Sequence, residues 1–125
     1  DGDISGAIYV IDKNSPVDIY MGIGGGPEGV LAAAALSCLG GQMQTRLILD
    51  ENEKQRAIKM GILDSKKKYN INEMVRGDVM FSASGVSNGD LVNGIKDCGK
   101  NFEASTFALH KGSKRNFKIK NIHKK

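Results

Sequence analysis

The chain has 125 residues, of which 40% are hydrophobic, 26% are charged and two are prolines. This composition is typical of one globular α/β domain and excludes a disordered or fibrous chain, and no run of eighteen apolar residues is present that could cross a membrane. The net charge of +4 is uneven, because seven of the eighteen basic residues lie in residues 111–125, which contain no acid.

The first elements in chain order are predicted to be a helix, a buried strand and a second helix. Behind Asp3, the expected N-cap, apolar residues recur with helical spacing at Ile4, Ala7, Ile8 and Ile11. Residues 17–23 are predicted to form a buried strand that ends at a glycine turn. The following helix, residues 30–39, is apolar almost all round and closes at Gly40, so we expect it to be buried.

Further strands and two capped helices are predicted in the middle of the chain. Residues 42–49 have the composition of a strand. Asp50, with Glu53 three positions later, forms a capping-box pattern for a helix that stops at Gly61. Asn70 and Glu73 repeat this pattern before a shorter helix that ends at Val75.

The C-terminal third is predicted to be rich in strands. A strand over residues 79–83 leads into the turn-rich residues 85–89, and two or three β segments follow between residues 105 and 122. The basic tail alternates apolar residues and lysines over residues 116–120, which favours an edge strand guarded by lysines over a nucleic-acid-binding tail. Phe117 alone offers a stacking surface there, so no nucleic-acid partner is expected.

The two cysteines predict a reducing compartment. Cys38 and Cys98 are sixty positions apart and have no metal-ligand or redox-motif spacing. We expect two unlinked thiols, each a small buried hydrophobe, in a cytoplasmic protein that shows no targeting segment.

A glycine-rich turn before the second helix predicts an anion site. Residues 22–29 combine backbone N–H groups with a helix N-terminus, an arrangement that binds phosphate. Pro27 replaces the third glycine of a dinucleotide fingerprint, and the Glu28 carboxylate would repel a phosphate unless a cation lay between them. The pattern therefore points to a metal that bridges Glu28 and a phosphate. A Glu28 that only stabilises the helix start is the equal alternative.

Asp1, Gly2 and Asp3 place two carboxylates around a glycine at the start of a helix. Such a group can accept hydrogen bonds from sugar hydroxyls or bind a divalent cation. Asp3 as a plain N-cap is the more economical interpretation, but it leaves Asp1 and Gly2 unexplained.

Two further patterns carry less weight. Residues 94–101 nearly match a phosphate-binding P-loop, but Asn101 replaces the hydroxyl residue and no helix is predicted to follow, so we expect a surface loop. His110 and His123 have no nucleophile motif in the sequence to serve, so a hydrolase of the Ser/His or Cys/His type is not supported.

With these residues in view, the sequence resembles the class II, GlpX-type fructose-1,6-bisphosphatases. The most specific match is VDIYMGIGGGPEGVLAAAAL over residues 17–36. The triplet at residues 1–3 also matches, as do residues 39–44, 76–79 and 85–91. Because members of this family are more than twice as long, residues 1–125 are expected to be the C-terminal α/β domain of such an enzyme, without its N-terminal half.

The resemblance implies a layered α/β sandwich similar to the inositol monophosphatase and sugar-phosphatase superfamily. It also implies a metal-dependent phosphatase of gluconeogenesis that removes the 1-phosphate of fructose 1,6-bisphosphate with Mn²⁺ or Mg²⁺ as cofactor. By the same resemblance, Glu28 is a metal ligand, and Asp1, Gly2, Asp3 and Gly25 bind substrate. The catalytic residues would lie upstream of residue 1, so these 125 residues alone are expected to be inactive.

Several alternatives stay open. The substrate could be another phosphate ester, such as sedoheptulose 1,7-bisphosphate or an inositol phosphate. From a different class, the glycine turn could serve a nucleotide-binding module, which would tolerate Glu28→Gln where a metal-dependent phosphatase would not. The family analogy also implies a homo-oligomer.

Overall fold

The computed structural model describes the backbone of residues 2–125 and the side chains of residues 4–125. Helices and antiparallel sheets are both present, so the mixed α/β class is confirmed. In chain order the elements are α1 (Gly2–Tyr9), α2 (Gly26–Leu39), β1 (Gln44–Arg46), α3 (Glu51–Lys59), β2 (Lys68–Asn70), α4 (Ile71–Met74), β3 (Met80–Ser84), β4 (Lys96–Asp97), β5 (Asn101–His110) and β6 (Arg115–Lys124).

The strands form two antiparallel sheets. β1 and β2 pair over three residues each. In the larger sheet β5 is central: β6 pairs along its whole length, β3 pairs with residues 106–110, and β4 pairs with residues 102–103. β4, β5 and β6 follow one another in the chain and pair antiparallel, so short turns are enough to connect them.

Helix α2 is the centre of the packing. Its alanines let neighbours approach closely, and two groups of apolar side chains meet on it. Ala32, Ala33 and Leu36 pack with Ala7 of α1 and Ile71 of α4. On another side Ala35 packs against the sheet residues Phe81, Phe107 and Leu109. The predicted close packing of this helix on a sheet is confirmed.

The signals at the helix ends are mostly confirmed. α2 stops at Gly40, which adopts the left-handed conformation with φ 76°. Both predicted capping boxes are present: the N–H of Glu53 donates to the Asp50 carboxylate at 2.7 Å, and the N–H of Glu73 donates to the Asn70 side-chain carbonyl at 3.2 Å. Each glutamate in turn accepts from the N–H of its partner.

Three predictions in the first half are wrong. α1 begins at Gly2, so Asp3 lies inside the first turn rather than at the N-cap. Residues 17–23 carry no regular secondary structure and lie outside both sheets, because no strand among the described residues pairs with them. The predicted burial of the second helix is wrong for Val30 and Leu31, which are each 47% exposed, although Ala32, Ala33, Ala35 and Leu36 are buried as expected.

The basic tail is the predicted edge strand, but its two sides face in an unexpected way. All ten residues of β6 are exposed, and within the part of the chain that the structure describes β6 pairs with β5 alone. The register places Lys118 opposite the buried Phe107, so the lysine side shares the face that α2 covers. Phe117 and Ile119 stand opposite Ala108 and Thr106, on the other face of the sheet.

The structure also decides the predictions for residues 94–101, for the two cysteines and for membrane-spanning helices. Residues 94–101 contain β4 and the tight turn into β5 rather than a helix start, so the P-loop pattern is coincidental. Both cysteines are unlinked as predicted, but Cys98 is exposed rather than buried. Among the described residues, no helix is long and apolar enough to span a bilayer.

Candidate functional site

The glycine turn places Gly25 and Glu28 in contact at the start of α2. Gly25 is the N-cap and has an extended backbone. Glu28 is the third residue of the helix, and its carboxylate folds back over Gly25 so closely that a Cβ on Gly25 would collide with Oε2. The two residues that the sequence pattern singled out therefore meet at one point, where a side chain at position 25 would displace the flexible Glu28 carboxylate.

The position of Glu28 also fits the alternative, purely structural role. Glu53 and Glu73 occupy the same third helical position in α3 and α4, where each accepts a hydrogen bond from its N-cap N–H. A carboxylate in the first turn also interacts favourably with the helix dipole. Gly25, unlike Asp50 or Asn70, has no side chain to complete a capping box. A glutamine in place of Glu28 would keep the helix-start contact and lose only the charge.

Tyr20 connects the residues before this turn to α1. Its ring lies against Gly6, where a Cβ would come within 2.6 Å of the ring carbon Cε2. Its hydroxyl is turned toward Gly22, where a Cβ would lie 3.3 Å from the oxygen. Gly6 thus gives the ring room to pack on α1, and residues 20–22 are held beside that helix.

Of the triplet predicted to bind substrate, the structure describes two residues. Asp1 lies outside the described residues, and for Gly2 and Asp3 the structure gives the backbone, in the first turn of α1. Helix α1 packs on α2, and Ile11 beyond its end lies against Gly41 after α2. The helix that contains Gly2 and Asp3 and the helix that contains Glu28 are therefore direct neighbours.

The C-terminal part of α1 is tied to the 85–94 loop. Partial burial raises the pKa of Tyr9, and a hydrogen bond to the Asp90 carboxylate raises it further. The loop is folded tightly, since the Gly94 N–H donates to the Asn88 side chain at 2.9 Å and the Gly89 N–H to the Val92 carbonyl at 3.0 Å. Asp90, within the family-like residues 85–91, therefore contacts α1, an arrangement that sequence spacing did not predict.

A second polar cluster lies at the β5–β6 turn. The Asp78 carboxylate contacts His110 Nε2 at 2.9 Å and accepts the Gly112 N–H at 2.8 Å. The other ring nitrogen of His110, Nδ1, lies 2.8 Å from the Ser113 hydroxyl oxygen. The hydrogen bond from His110, helped by the N–H of Gly112, holds the pKa of Asp78 below its usual range.

This cluster was missed from the sequence, because Asp78 and His110 are 32 positions apart and meet only through the register of β3 with β5. A Cβ on Gly112 would lie 2.7 Å from the Asp78 carboxylate, so the turn is built around that side chain. Next to it, partial burial raises the pKa of the Cys38 thiol, with Asp78 adding to the effect. The cluster fixes the turn to the end of β3.

The described side chains supply only some of the ligands that the metal predicted from the sequence would need. A glutamate oxygen such as that of Glu28 suits Mg²⁺ or Mn²⁺. Within residues 4–125, however, no three His, Cys, Asp or Glu side chains gather closely enough to hold a metal ion. The described side chains alone therefore do not form a metal centre.

The structure defines the class of the protein first: a mixed α/β protein in which a glycine-rich turn leads into a helix and a carboxylate of that helix lies over the turn. Comparison with known proteins then identifies the family. The family model described as bacterial fructose-1,6-bisphosphatase, glpX-encoded, matches residues 1–123. The chain belongs to this family.

Individual relatives agree. The chain is 36% identical over 124 residues to fructose-1,6-bisphosphatase 2 class 2 of Escherichia coli, an alignment that covers 87% of the chain and 38% of that protein. It is 37% identical to the class 2 enzyme of Haemophilus influenzae, over 98% of the chain and 41% of the relative. A Synechococcus relative, 34% identical over the whole chain and 40% of its own length, is named D-fructose 1,6-bisphosphatase class 2/sedoheptulose 1,7-bisphosphatase. The chain thus spans about two fifths of the length of these relatives.

Proposed function

We propose that the chain is the C-terminal α/β domain of a class 2 fructose-1,6-bisphosphatase. In this proposal the whole enzyme hydrolyses the 1-phosphate of fructose 1,6-bisphosphate: water adds to phosphorus, and the sugar oxygen leaves to give fructose 6-phosphate. The family match over residues 1–123 and the names of the relatives support the activity. The layered sandwich of the sugar-phosphatase superfamily, a homo-oligomeric assembly and a cytoplasmic location belong to the same proposal.

The observation that carries the proposal is the contact between Gly25 and Glu28. The glycine turn offers backbone N–H groups to an anion, and the carboxylate folded over it offers an oxygen ligand to a cation. A phosphate and a divalent metal can share such a place only together, since the carboxylate alone would repel the phosphate. We assign Gly25 to substrate binding and Glu28 to one ligand of a Mn²⁺ or Mg²⁺ site.

The sugar end of the substrate is assigned to the triplet Asp1, Gly2 and Asp3. Carboxylates accept hydrogen bonds from sugar hydroxyls. This assignment is supported by the packing of α1 on α2, which brings the backbone of Gly2 and Asp3 into the neighbourhood of the glutamate-bearing helix. The metal, when bound, would lower the pKa of the attacking water and neutralise charge on the phosphate.

A chimaera tests the proposal with a matched control. Residues 1–123 replace the matched stretch of the E. coli relative, and phosphate release from fructose 1,6-bisphosphate is measured with Mn²⁺. We expect an active chimaera that loses about a hundredfold or more of its rate on Glu28→Gln, as for loss of a group that stabilises transition-state charge. Glu53→Gln makes the same chemical change at the same helical position of α3 and should leave the rate unchanged.

The outcomes separate the parts of the proposal. If the chimaera is active and Glu28→Gln leaves its rate unchanged, Glu28 is not a metal ligand and only stabilises the start of α2. Sedoheptulose 1,7-bisphosphate is assayed in parallel, because two Synechococcus relatives are named for both substrates. Turnover of that ester alone would change the substrate and keep the reaction class.

A further inference from the structure

Residues 17–23 have two different sides. Tyr20 packs its ring on Gly6 of α1 and remains 40% exposed. The alternate residues turn to solvent: the exposed fraction is 71% for Ile19, 82% for Met21 and 84% for Ile23. With Val17, which is also exposed, these apolar side chains recur at every second position. We call Val17, Ile19, Met21 and Ile23 the apolar strip.

Such alternation is the pattern of a strand whose apolar face is covered by protein. The Tyr20 ring on the opposite side lies against α1, whereas the apolar side presents four branched or long side chains to water. Exposed apolar surface of this kind marks an interaction site in a stable protein, and an extended segment that bears it adds readily to another strand. The segment nevertheless belongs to neither sheet of the described chain.

The geometry points to a docking surface: we infer that the apolar strip is covered by a polypeptide equivalent to the part of a class 2 fructose-1,6-bisphosphatase that lies outside the match, with residues 17–23 forming a strand against it. This inference rests on the proposed function. The same polypeptide, joined in one chain or separate, would face the glycine turn that directly follows Ile23.

Three observations favour this occupant over others. The match covers 38% to 41% of the length of the relatives, so more than half of such an enzyme lies outside it and needs a surface on the matched part to pack against. The strip is followed directly by the Gly25–Glu28 contact. Under the proposed function, Glu28 is one metal ligand there, and the other ligands must come from outside the described side chains. Val30 and Leu31, in the first turns of α2, are also half exposed and continue the apolar character beyond that contact.

The test is binding of the 125-residue chain to the part of the E. coli relative outside the match, co-expressed as a separate polypeptide. We expect a 1:1 complex by size-exclusion chromatography with light scattering. The double variant Met21→Glu/Ile23→Glu should weaken the complex by at least about tenfold, because it places charges in an apolar interface. Met60→Glu/Leu63→Glu is the matched control: these side chains are 79% and 83% exposed but lie outside the strip.

A second measurement does not depend on the separate polypeptide. The Met21 and Ile23 amides should exchange hydrogen rapidly in the chain alone and at least about a hundredfold more slowly in the chimaera. Equal protection in both, an absent complex, or a complex insensitive to Met21→Glu/Ile23→Glu would each overturn the inference. So would self-association of the chain that the same variant abolishes, since the occupant would then be a second copy.

The readouts keep this inference separate from the proposed activity. A strip-dependent complex together with an inactive chimaera would refute the proposed function and leave the docking surface in place. An active chimaera in which the Met21 and Ile23 amides stay unprotected would refute the docking surface and leave the activity in place.

Discussion

Glycine-to-alanine substitutions within α2 and just after it should change the unfolding free energy in opposite directions. Gly40, after the helix, has φ 76°, whereas Gly29 lies within it. A Cβ built at either position meets no atom within 4 Å, so packing does not decide the outcome. Gly40→Ala forces an L-residue into the left-handed region and should cost about 1–2 kcal/mol. Gly29→Ala removes backbone freedom from the unfolded chain and should gain about 0.5–1 kcal/mol.

The two variants should therefore differ by roughly 1.5–3 kcal/mol in unfolding free energy, although each adds one methyl group. Urea denaturation followed by far-ultraviolet circular dichroism measures this difference as a change of midpoint at constant slope. In thermal melts the difference corresponds to roughly 3–6 °C per kcal/mol for a domain of this size. Equal loss of stability in both variants, or a neutral Gly40→Ala, would refute the assignment of these backbone conformations.

Further predictions concern the core, the thiols and the β5–β6 turn. Leu109→Ala should lower the unfolding free energy by about 2–5 kcal/mol in urea denaturation, because the side chain is buried against Ala35 and Phe81; a loss below about 1 kcal/mol would contradict that packing. Cys98 should react with iodoacetamide at pH 7.5 well before Cys38, whose partial burial raises its thiol pKa, and peptide mass spectrometry would report any reversed order. Because the pKa of Asp78 is lowered in the folded state, its contribution is present above the ordinary aspartate pKa and is lost as pH falls through the lower folded value. The stability gap between wild type and Asp78→Asn should thus be constant near neutrality and shrink below about pH 4, and a gap unchanged down to pH 2 would contradict the prediction.

The sequence predicted features that depend on a few neighbouring residues. The two capping boxes bring together groups three positions apart, so the pattern itself contains both partners. Gly40 ends α2 for an equally local reason. The contact of Gly25 with Glu28 was not predicted, because the helix was expected at residues 30–39 and begins at Gly26, which makes Gly25 the N-cap and Glu28 the third helical residue.

Features that depend on distant partners were not predictable in the same way. Residues 17–23 have the residue pattern of a strand, but a strand also needs a neighbour to pair with, and the described chain supplies none. The pairing of Asp78 with His110 depends on the register between β3 and β5, which no local pattern determines. The exposure of Cys98 likewise follows from the tight turn between β4 and β5.

The β5–β6 pairing has a consequence for how the chain folds. Its first contact, His110 with Arg115, closes a very short loop, and every later pair extends from it in order, out to Asn101 with Lys124. Hairpins of this kind form in about 1–10 μs, whereas pairing β3 with β5 must first close a much longer loop. We therefore expect the hairpin to form first and to present Phe107 and Leu109 as a template onto which α2 condenses, so that folding of this chain proceeds from its C-terminal end inward.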